Sequence, residues 1–117
     1  MSDDPSNLDA VLAAPEHHRL LLENEHVRVL DTRIEPGEAV RLHTHCWPAV
    51  YYVLSAGDFV RRDEHGTVVA DSRRAATPLA AGMAVWSPAL GAHTLENVGT
   101  TTIHVVSVEV KASGGPG

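Results

Sequence analysis

Three histidines stand at positions from which they can bind one metal ion together. His43 and His45 are two residues apart in a run over 40–45 that is predicted to be a β-strand. Side chains two apart on a strand point to the same face, so these two imidazoles are expected side by side. His93 lies directly before another predicted strand, over 94–98. Three neutral imidazoles suit a divalent transition metal that keeps positions open for water or substrate.

The elements that must position these histidines are short strands separated by turns. The clearest strand signal is the β-branched and aromatic run over 50–54, and the sequence over 63–66 is typical of a hairpin turn. Further strands are predicted over 19–22, 26–34, 40–45, 59–62, 67–71, 83–87, 94–98 and 101–110. The pattern predicts an all-β protein, a sandwich or barrel of antiparallel strands.

The chain of 117 residues has the length of one domain. Residues 1–16 form a polar lead-in, in which the apolar stretch 8–14 is predicted to be a short helix or turn that ends before Pro15. The barrel domain is assigned to 17–111. The sequence Ser-Gly-Gly-Pro-Gly near the end predicts a disordered tail over 112–117.

Composition excludes several classes of function. The net charge is −6 with a single lysine, which argues against nucleic acid or an anionic membrane as partner. No apolar run approaches the roughly 18 residues of a membrane span, and the acidic, polar N-terminus does not resemble a signal peptide. One cysteine excludes an intramolecular disulfide and indicates a reducing compartment, so a cytoplasmic location is expected.

The first histidine pair and its flanking glycines resemble the first motif of the cupin superfamily. In that motif a glycine precedes His-x-His, and a glutamate and a second glycine follow it. Here Gly37 is followed after five residues by His43, and Gly57 stands at the expected end. The glutamate position is occupied by Val50, with Ala49 beside it, and neither side chain binds a metal.

The third histidine lies in a sequence that resembles the second cupin motif. Gly82, Pro88, His93 and Asn97 have the spacing of that motif, while its inner glycine is displaced by one position to Gly91. The two motifs together cover just over half of the chain. Asn97, which ends the second motif, is expected to support a turn by hydrogen bonding rather than to bind metal.

The resemblance implies a jelly-roll β-barrel of cupin type with one divalent transition metal ion. Without the glutamate, the ligand set is reduced to the three histidines, as in cysteine dioxygenase, the other thiol dioxygenases and the acetylacetone-cleaving diketone dioxygenase. In those families the metal is Fe(II), so Fe(II) is favoured here, with Zn, Ni or Mn as alternatives. A site without a carboxylate leaves the ion's charge uncompensated, which favours an anionic, chelating substrate.

Strand alternation supplies candidates for the substrate pocket. Val50 and Tyr52 share the face on which the motif's glutamate would stand, so both are predicted to contact substrate. Tyr52 is also a candidate catalytic residue that transfers a proton; the alternative is a structural tyrosine bonded to a backbone group. Trp47 is two residues after His45, so alternation would place it on the same face as the histidine pair. It is predicted either to form the pocket wall or to pack structurally.

Two further residues have a functional and a structural interpretation. An inward-facing Arg61 would bind a substrate carboxylate, whereas an outward-facing Arg61 would be a solvated strand residue. His104, in the last predicted strand, is a candidate catalytic proton carrier or an ordinary strand residue. The remaining histidines, which lie in lead-in or turn sequence, are predicted to be on the surface: His17, His18, His26 and His65.

Two functions from different classes remain open. The first is a metal-dependent enzyme that acts on a small organic molecule, either as a dioxygenase or as a non-redox isomerase or lyase. The second is a non-catalytic binding or sensing protein that has lost the glutamate ligand. The resemblance also implies a homodimer.

Overall fold

The computed structural model describes residues 8–111, and this part of the chain is almost entirely β-structure. A single turn of helix, α1 (Ala10–Ala13), precedes the strands. The Asp9 carboxylate caps this turn, since it accepts a hydrogen bond of 3.2 Å from the Val11 amide. The predicted short N-terminal helix is therefore confirmed. The predicted tail over 112–117 lies outside the described residues.

The strands form in the order expected from the alternating and β-branched runs. Their bounds are β1 (His18–Glu23), β2 (Val27–Ile34), β3 (Ala39–His45), β4 (Ala49–Ser55), β5 (Phe59–Asp63), β6 (Val68–Asp71), β7 (Ala84–Ser87), β8 (Leu90–Asn97) and β9 (Ile103–Val110). A short 3₁₀ turn, Ser72–Arg74, follows β6.

The strands make two antiparallel sheets. The first has the order β1-β2-β9-β4-β7, and the second has the order β3-β8-β5-β6. Strands distant in sequence are neighbours in both sheets, as in a jelly roll. The prediction of an all-β, antiparallel jelly-roll barrel is confirmed. Within residues 8–111, no helix is long and apolar enough to cross a membrane.

The inner faces of the two sheets meet in a small apolar core. Ile34, Val40 and Ile103 come from both sheets and are buried together with Ala14, which follows α1. Phe59, Leu95 and Val105 pack against this cluster. The core therefore joins the two sheets.

The connection between β8 and β9 is stabilised by Asn97, the residue that ends the second motif. Its side-chain amide donates hydrogen bonds of 2.9 Å to the Ile34 and Thr101 carbonyls, and its oxygen accepts one from the Gly99 amide. Beside this connection the backbone approaches Gly57 so closely that a Cβ there would lie 2.6 Å from the Thr101 carbonyl oxygen. Gly57 is therefore required by close packing.

Candidate metal centre

The structure brings the three histidines of the two motifs together on neighbouring strands. His43 in β3 pairs directly with His93 in β8, and their ring centroids are 4.3 Å apart. The His45 ring lies 5.0 Å from that of His43 and 5.7 Å from that of His93. All three side chains are buried. Their role as metal ligands stays a prediction.

A fourth imidazole, His18, joins this cluster from the first strand. Its ring lies 4.8 Å from that of His43 and 5.3 Å from that of His45. One ligand nitrogen from each of His18, His43 and His45 lies within 4.8 Å of the others, so these three residues fit a metal ion site; His93 lies outside this group. The prediction of a surface position for His18 is wrong, because β1 begins at this residue and pairs it with Thr32 on the inner face of β2. We call the four residues His18, His43, His45 and His93 the histidine cluster.

The hydrogen bonds of the histidine cluster determine which ring nitrogen is free. In three of its members, Nδ1 lies 2.6–3.0 Å from a backbone carbonyl oxygen, of Ala14, Arg41 or Gly91. A carbonyl oxygen can only accept, so Nδ1 carries the proton and donates. In His45, Nδ1 donates instead to the Glu109 carboxylate at 2.8 Å. In the three neutral rings, His18, His43 and His93, Nε2 is therefore left with the lone pair through which imidazole binds metals.

Burial keeps three of these rings neutral. It lowers the pKa of His43 to about 2 and the pKa values of His18 and His93 to about 4. Desolvation is the main cause, because an imidazolium loses hydration in this environment. The neighbouring imidazoles lower the three pKa values further. At neutral pH these three residues need no deprotonation to bind a metal ion.

Glu109 in β9 is the second residue of the site that sequence reasoning missed. Its side chain is completely buried, and besides His45 it accepts a hydrogen bond of 2.5 Å from Arg28 Nε. Arg28 in turn donates to both oxygens of Asp9, at 2.8 and 2.9 Å. The cation beside Glu109 and the donor from His45 hold the pKa of Glu109 below its usual value despite burial. The carboxylate is therefore ionised.

Strand register explains why Glu109 occupies this place. In the first sheet it stands directly opposite Arg28 on one side and Ala49 on the other. Ala49 points inward and stands next to Val50, the position that the motif spacing gives the glutamate. The small alanine thus leaves room for a carboxylate that comes from the neighbouring strand. The only signal in the sequence is one glutamate within the apolar run of β9.

The histidine cluster forms part of the wall of a cavity of about 550 Å³. The other walls come from both sheets and from the loop over 75–79, and they are mainly apolar. A space of this size holds one small organic molecule. The polar groups in the cavity wall that could take part in chemistry are the imidazoles and Arg61. The apolar part of the wall includes Val53, Phe59, Leu95 and Val105.

Two predictions about the pocket are wrong because the motif spacing puts its glutamate at Val50, whereas the inward residue of β4 at this point is Ala49. Cys46, Trp47 and Pro48 separate β3 from β4, and the inward-facing positions of β4 start at Ala49. Tyr52 therefore lies on the outer face, with 47% of its surface exposed, and Val50 is exposed on the same face. Tyr51 and Val53 line the cavity in their place.

Trp47 and His104 also lie away from the cavity, contrary to prediction. Trp47 follows the end of β3, and the charged groups of Arg28 and Lys111 lie 5.0 and 5.2 Å from its ring centre. His104 lies on the opposite face of β9 from the cavity-lining Ile103 and Val105. Its Nε2 is 2.9 Å from an Asp31 carboxylate oxygen. Both residues have structural partners outside the site.

Arg61 is the one predicted substrate-binding residue that does line the cavity. Among the described residues its Nε is buried and has no hydrogen-bond partner. Its neighbour Arg62 points the other way and pairs with Glu96 at 3.1 Å. Alternation within β5 thus separates a cavity arginine from a solvent-facing one.

Comparison with solved structures identifies the fold. The chain is 24% identical to a cupin domain from Bordetella pertussis Tohama I, with a TM-score of 0.65 over 81% of this chain and 92% of that one. An RmlC-like cupin family protein from Methanocaldococcus jannaschii is 15% identical, with a TM-score of 0.57 over 80% and 77%. A predicted oxalate decarboxylase from Thermotoga maritima is 25% identical, with a TM-score of 0.51 over 81% and 79%.

These similarities establish that the chain adopts the cupin fold, a double-stranded β-helix, as the motif spacing predicts. No family model matches the sequence, and no curated protein matches it either.

Proposed function

Because the chain has the cupin fold and four buried imidazoles converge on one cavity, we propose that it is a metal-dependent enzyme that acts on a small chelating or anionic molecule. The observation that carries this proposal is the common hydrogen bonding of the histidine cluster. Each Nδ1 lies against an acceptor, so Nε2 is the ring nitrogen left to face one ion.

His43, His45 and His93 would hold the ion, with His18 as a further ligand from β1. Imidazole ligands accept Fe(II), Zn, Ni and Mn, and the resemblance to three-histidine dioxygenases favours Fe(II). When bound, such an ion supplies either oxygen activation or polarisation of a substrate carbonyl. The first gives a dioxygenase and the second an isomerase or lyase.

The charges around the site support an anionic substrate. His18, His43 and His93 are neutral at pH 7, and the nearest carboxylate, Glu109, is turned toward Arg28 as well as His45. The buried group of Asp9, Arg28 and Glu109 therefore carries a net charge of about −1, less than the charge of a divalent ion. A substrate that binds as a thiolate, enolate or carboxylate would balance the remainder.

The similarity at 25% identity to a structure described as a predicted oxalate decarboxylase agrees with a small anion as substrate. A second candidate function, a binding or sensing protein without catalysis, is favoured by Ala49 and Val50. These residues occupy the places where the cupin motif has its metal-binding glutamate.

Metal analysis of untagged protein, purified without chelator, tests the proposal. We expect close to one equivalent of a transition metal, and a strong loss in His43→Ala and His93→Ala. His65→Ala, which changes an exposed histidine in the turn after β5, is the matched control and should retain the metal. A metal content below about a tenth of an equivalent, with no binding of added Fe(II), Zn(II) or Ni(II), would contradict the metal site. The non-catalytic binding or sensing protein would then be the remaining candidate.

Oxygen consumption separates the two catalytic versions. Fe(II)-loaded protein is mixed with a panel of thiols and 1,3-diketones, and the dioxygenase version predicts uptake that His93→Ala abolishes. No uptake above that variant, in protein shown to hold metal, leaves the isomerase or lyase version.

We also propose that the protein is a homodimer. Exposed apolar side chains lie together on the outer face of β4 and β7, where Val50 pairs with Trp86 and Tyr52 is nearby. Contiguous exposed apolar patches of this kind commonly mark protein contacts. Light scattering during size-exclusion chromatography should give about twice the mass of one chain, and Trp86→Glu should shift it toward the monomer. A wild-type mass of one chain would rule out the dimer.

A further inference from the structure

The cavity contains a cation that the metal site does not explain. Arg61 lines the same cavity as the histidine cluster, and it makes no ion pair among the described residues. Its Nε is buried without any hydrogen-bond partner there. The nearest compensation is the Phe59 ring, whose centre lies 5.7 Å from the guanidinium carbon.

The side chain as a whole is half-buried, but its buried Nε is costly unless something binds to it. A guanidinium stays protonated at every physiological pH, so it cannot escape burial by losing its charge. An unpaired charge removed from water is destabilising, and a nearby aromatic ring offsets only part of that cost. Most other arginines of the chain avoid this cost: Arg28, Arg41, Arg62 and Arg73 each form an ion pair with a carboxylate.

The position of Arg61 relative to the histidine cluster is set by strand register. β5 and β8 are neighbours, and Arg61 pairs with Leu95 while Asp63 pairs with His93. Arg61 and His93 are therefore diagonal neighbours on adjacent strands, with Cα atoms about 7–8 Å apart. A molecule of a few carbons can reach from the Nε2 atoms of the cluster to the guanidinium.

We propose that the natural ligand of this cavity carries a carboxylate, separate from its metal-binding end, and that Arg61 binds this carboxylate. The planar fork of donors on a guanidinium matches the two oxygens of a carboxylate, and the buried Nε supplies one of those donors. The apolar residues between the two polar ends, such as Leu95 and Val105, would contact the carbon chain. This inference rests on the proposed function for the metal-binding end but not for the carboxylate site.

The carboxylate site is tested first without metal, so that its failure and that of the metal site can be told apart. Metal-free protein is titrated with pentanoate and with 1-pentanol, and binding is followed by ligand-observed NMR. We expect saturable binding of pentanoate, at least about tenfold weaker binding of pentanol, and a comparable loss for pentanoate in Arg61→Met. Arg62→Met, which removes the solvent-facing arginine, should bind pentanoate like the wild type. No binding of pentanoate, or equal binding by Arg61→Met, would overturn the proposal.

The second arm tests whether one ligand engages both ends. Co(II)-loaded protein is titrated with glutaric acid monohydroxamate and with pentanohydroxamate, which share a chelating head and chain length and differ in the terminal carboxylate. We expect the first to bind at least about tenfold more tightly, with the ratio falling close to one in Arg61→Met. If circular dichroism shows that Arg61→Met does not fold, the proposal is judged on the ratio of the two hydroxamate affinities in the wild type and in the charge-preserving variant Arg61→Lys. A wild-type ratio near one would refute a distal carboxylate.

Discussion

Replacement of Glu109 by glutamine should weaken both the fold and the metal site. The substitution keeps the shape of the side chain but removes its charge. Glu109 accepts hydrogen bonds from Arg28 Nε and from His45 Nδ1, one with each oxygen. A glutamine has only one acceptor oxygen, so its NH₂ group must face one of these two donors. Either Arg28 or His45 then loses its partner.

The size of the effect follows from burial. Both members of the Glu109–Arg28 pair are almost completely buried, and breaking such a pair from one side costs about 3–5 kcal/mol. Arg28 keeps its two bonds to Asp9, so the lower end of this range, about 3 kcal/mol, is expected. For a domain of this length that corresponds to a fall in melting temperature of roughly 10–15 °C. Loss of a carboxylate that orients a ligating histidine lowers metal affinity by about 10–100-fold.

Two measurements and one control test this prediction. Thermal unfolding of metal-free protein gives the stability, and competition for Zn(II) with a chromophoric chelator gives the affinity. Glu96→Gln is the matched control, because Glu96 also pairs with an arginine but is well exposed to solvent. It should change stability by less than about 1 kcal/mol and leave zinc affinity unchanged. A Glu109→Gln variant that melts within about 2 °C of the wild type and binds zinc equally would show that this carboxylate neither supports Arg28 nor orients His45.

Three further predictions concern the cluster and the barrel. His18→Ala should lower zinc affinity at least about tenfold in the same competition assay, whereas His65→Ala should not; equal affinities would exclude His18 as a ligand. The metal-free protein should lose stability as pH falls from about 6.5 toward 4, because the folded-state pKa values of His18 and His93 are about 4 and the unfolded chain takes up protons first. At pH 5 the loss is up to about 2 kcal/mol for each histidine, so equal urea midpoints at pH 7 and pH 5 would contradict it. Gly57→Ala should cost about 1–3 kcal/mol because its Cβ meets a backbone carbonyl oxygen at 2.6 Å, while Gly91→Ala, with open space around it, should cost far less.

The histidine spacing was the most informative part of the sequence, and the structure explains why. His43 and His45 lie on one strand, where alternation alone puts them on the same face. His93 required the second motif, because its pairing with His43 joins residues fifty positions apart. The fold class followed from the same motifs together with the short alternating strands.

The residues that sequence reasoning placed wrongly have two causes. The motif spacing puts its glutamate at Val50 and so predicts Val50 and Tyr52 on the inner face of β4, but the inward residue there is Ala49, and Tyr51 lines the cavity. For Trp47, alternation is extended past His45, where β3 ends.

The residues that were missed depend on pairing between distant strands. His18 and Glu109 have no local motif, and each enters the site only because β1 and β9 flank β2 in the first sheet. His18 reaches the cluster through its place opposite Thr32, and Glu109 through its place opposite Arg28. A single sequence does not specify such partners, since pairing of antiparallel strands is set by the whole topology rather than by local spacing.

The position of Glu109 also changes what the missing motif glutamate means. A glutamate at position 49 would face Glu109 directly across the strands β4 and β9, and two buried carboxylates at that distance would repel each other. With Ala49, one carboxylate remains, and it accepts a hydrogen bond from His45 instead of standing where it would bind the proposed ion. It makes that imidazole a stronger donor while leaving the metal-facing side of the cavity free of protein anions. The place that a protein carboxylate would take is then open to an anionic group of the ligand, which is the chemistry that the unpaired Arg61 also favours at the other end of the cavity.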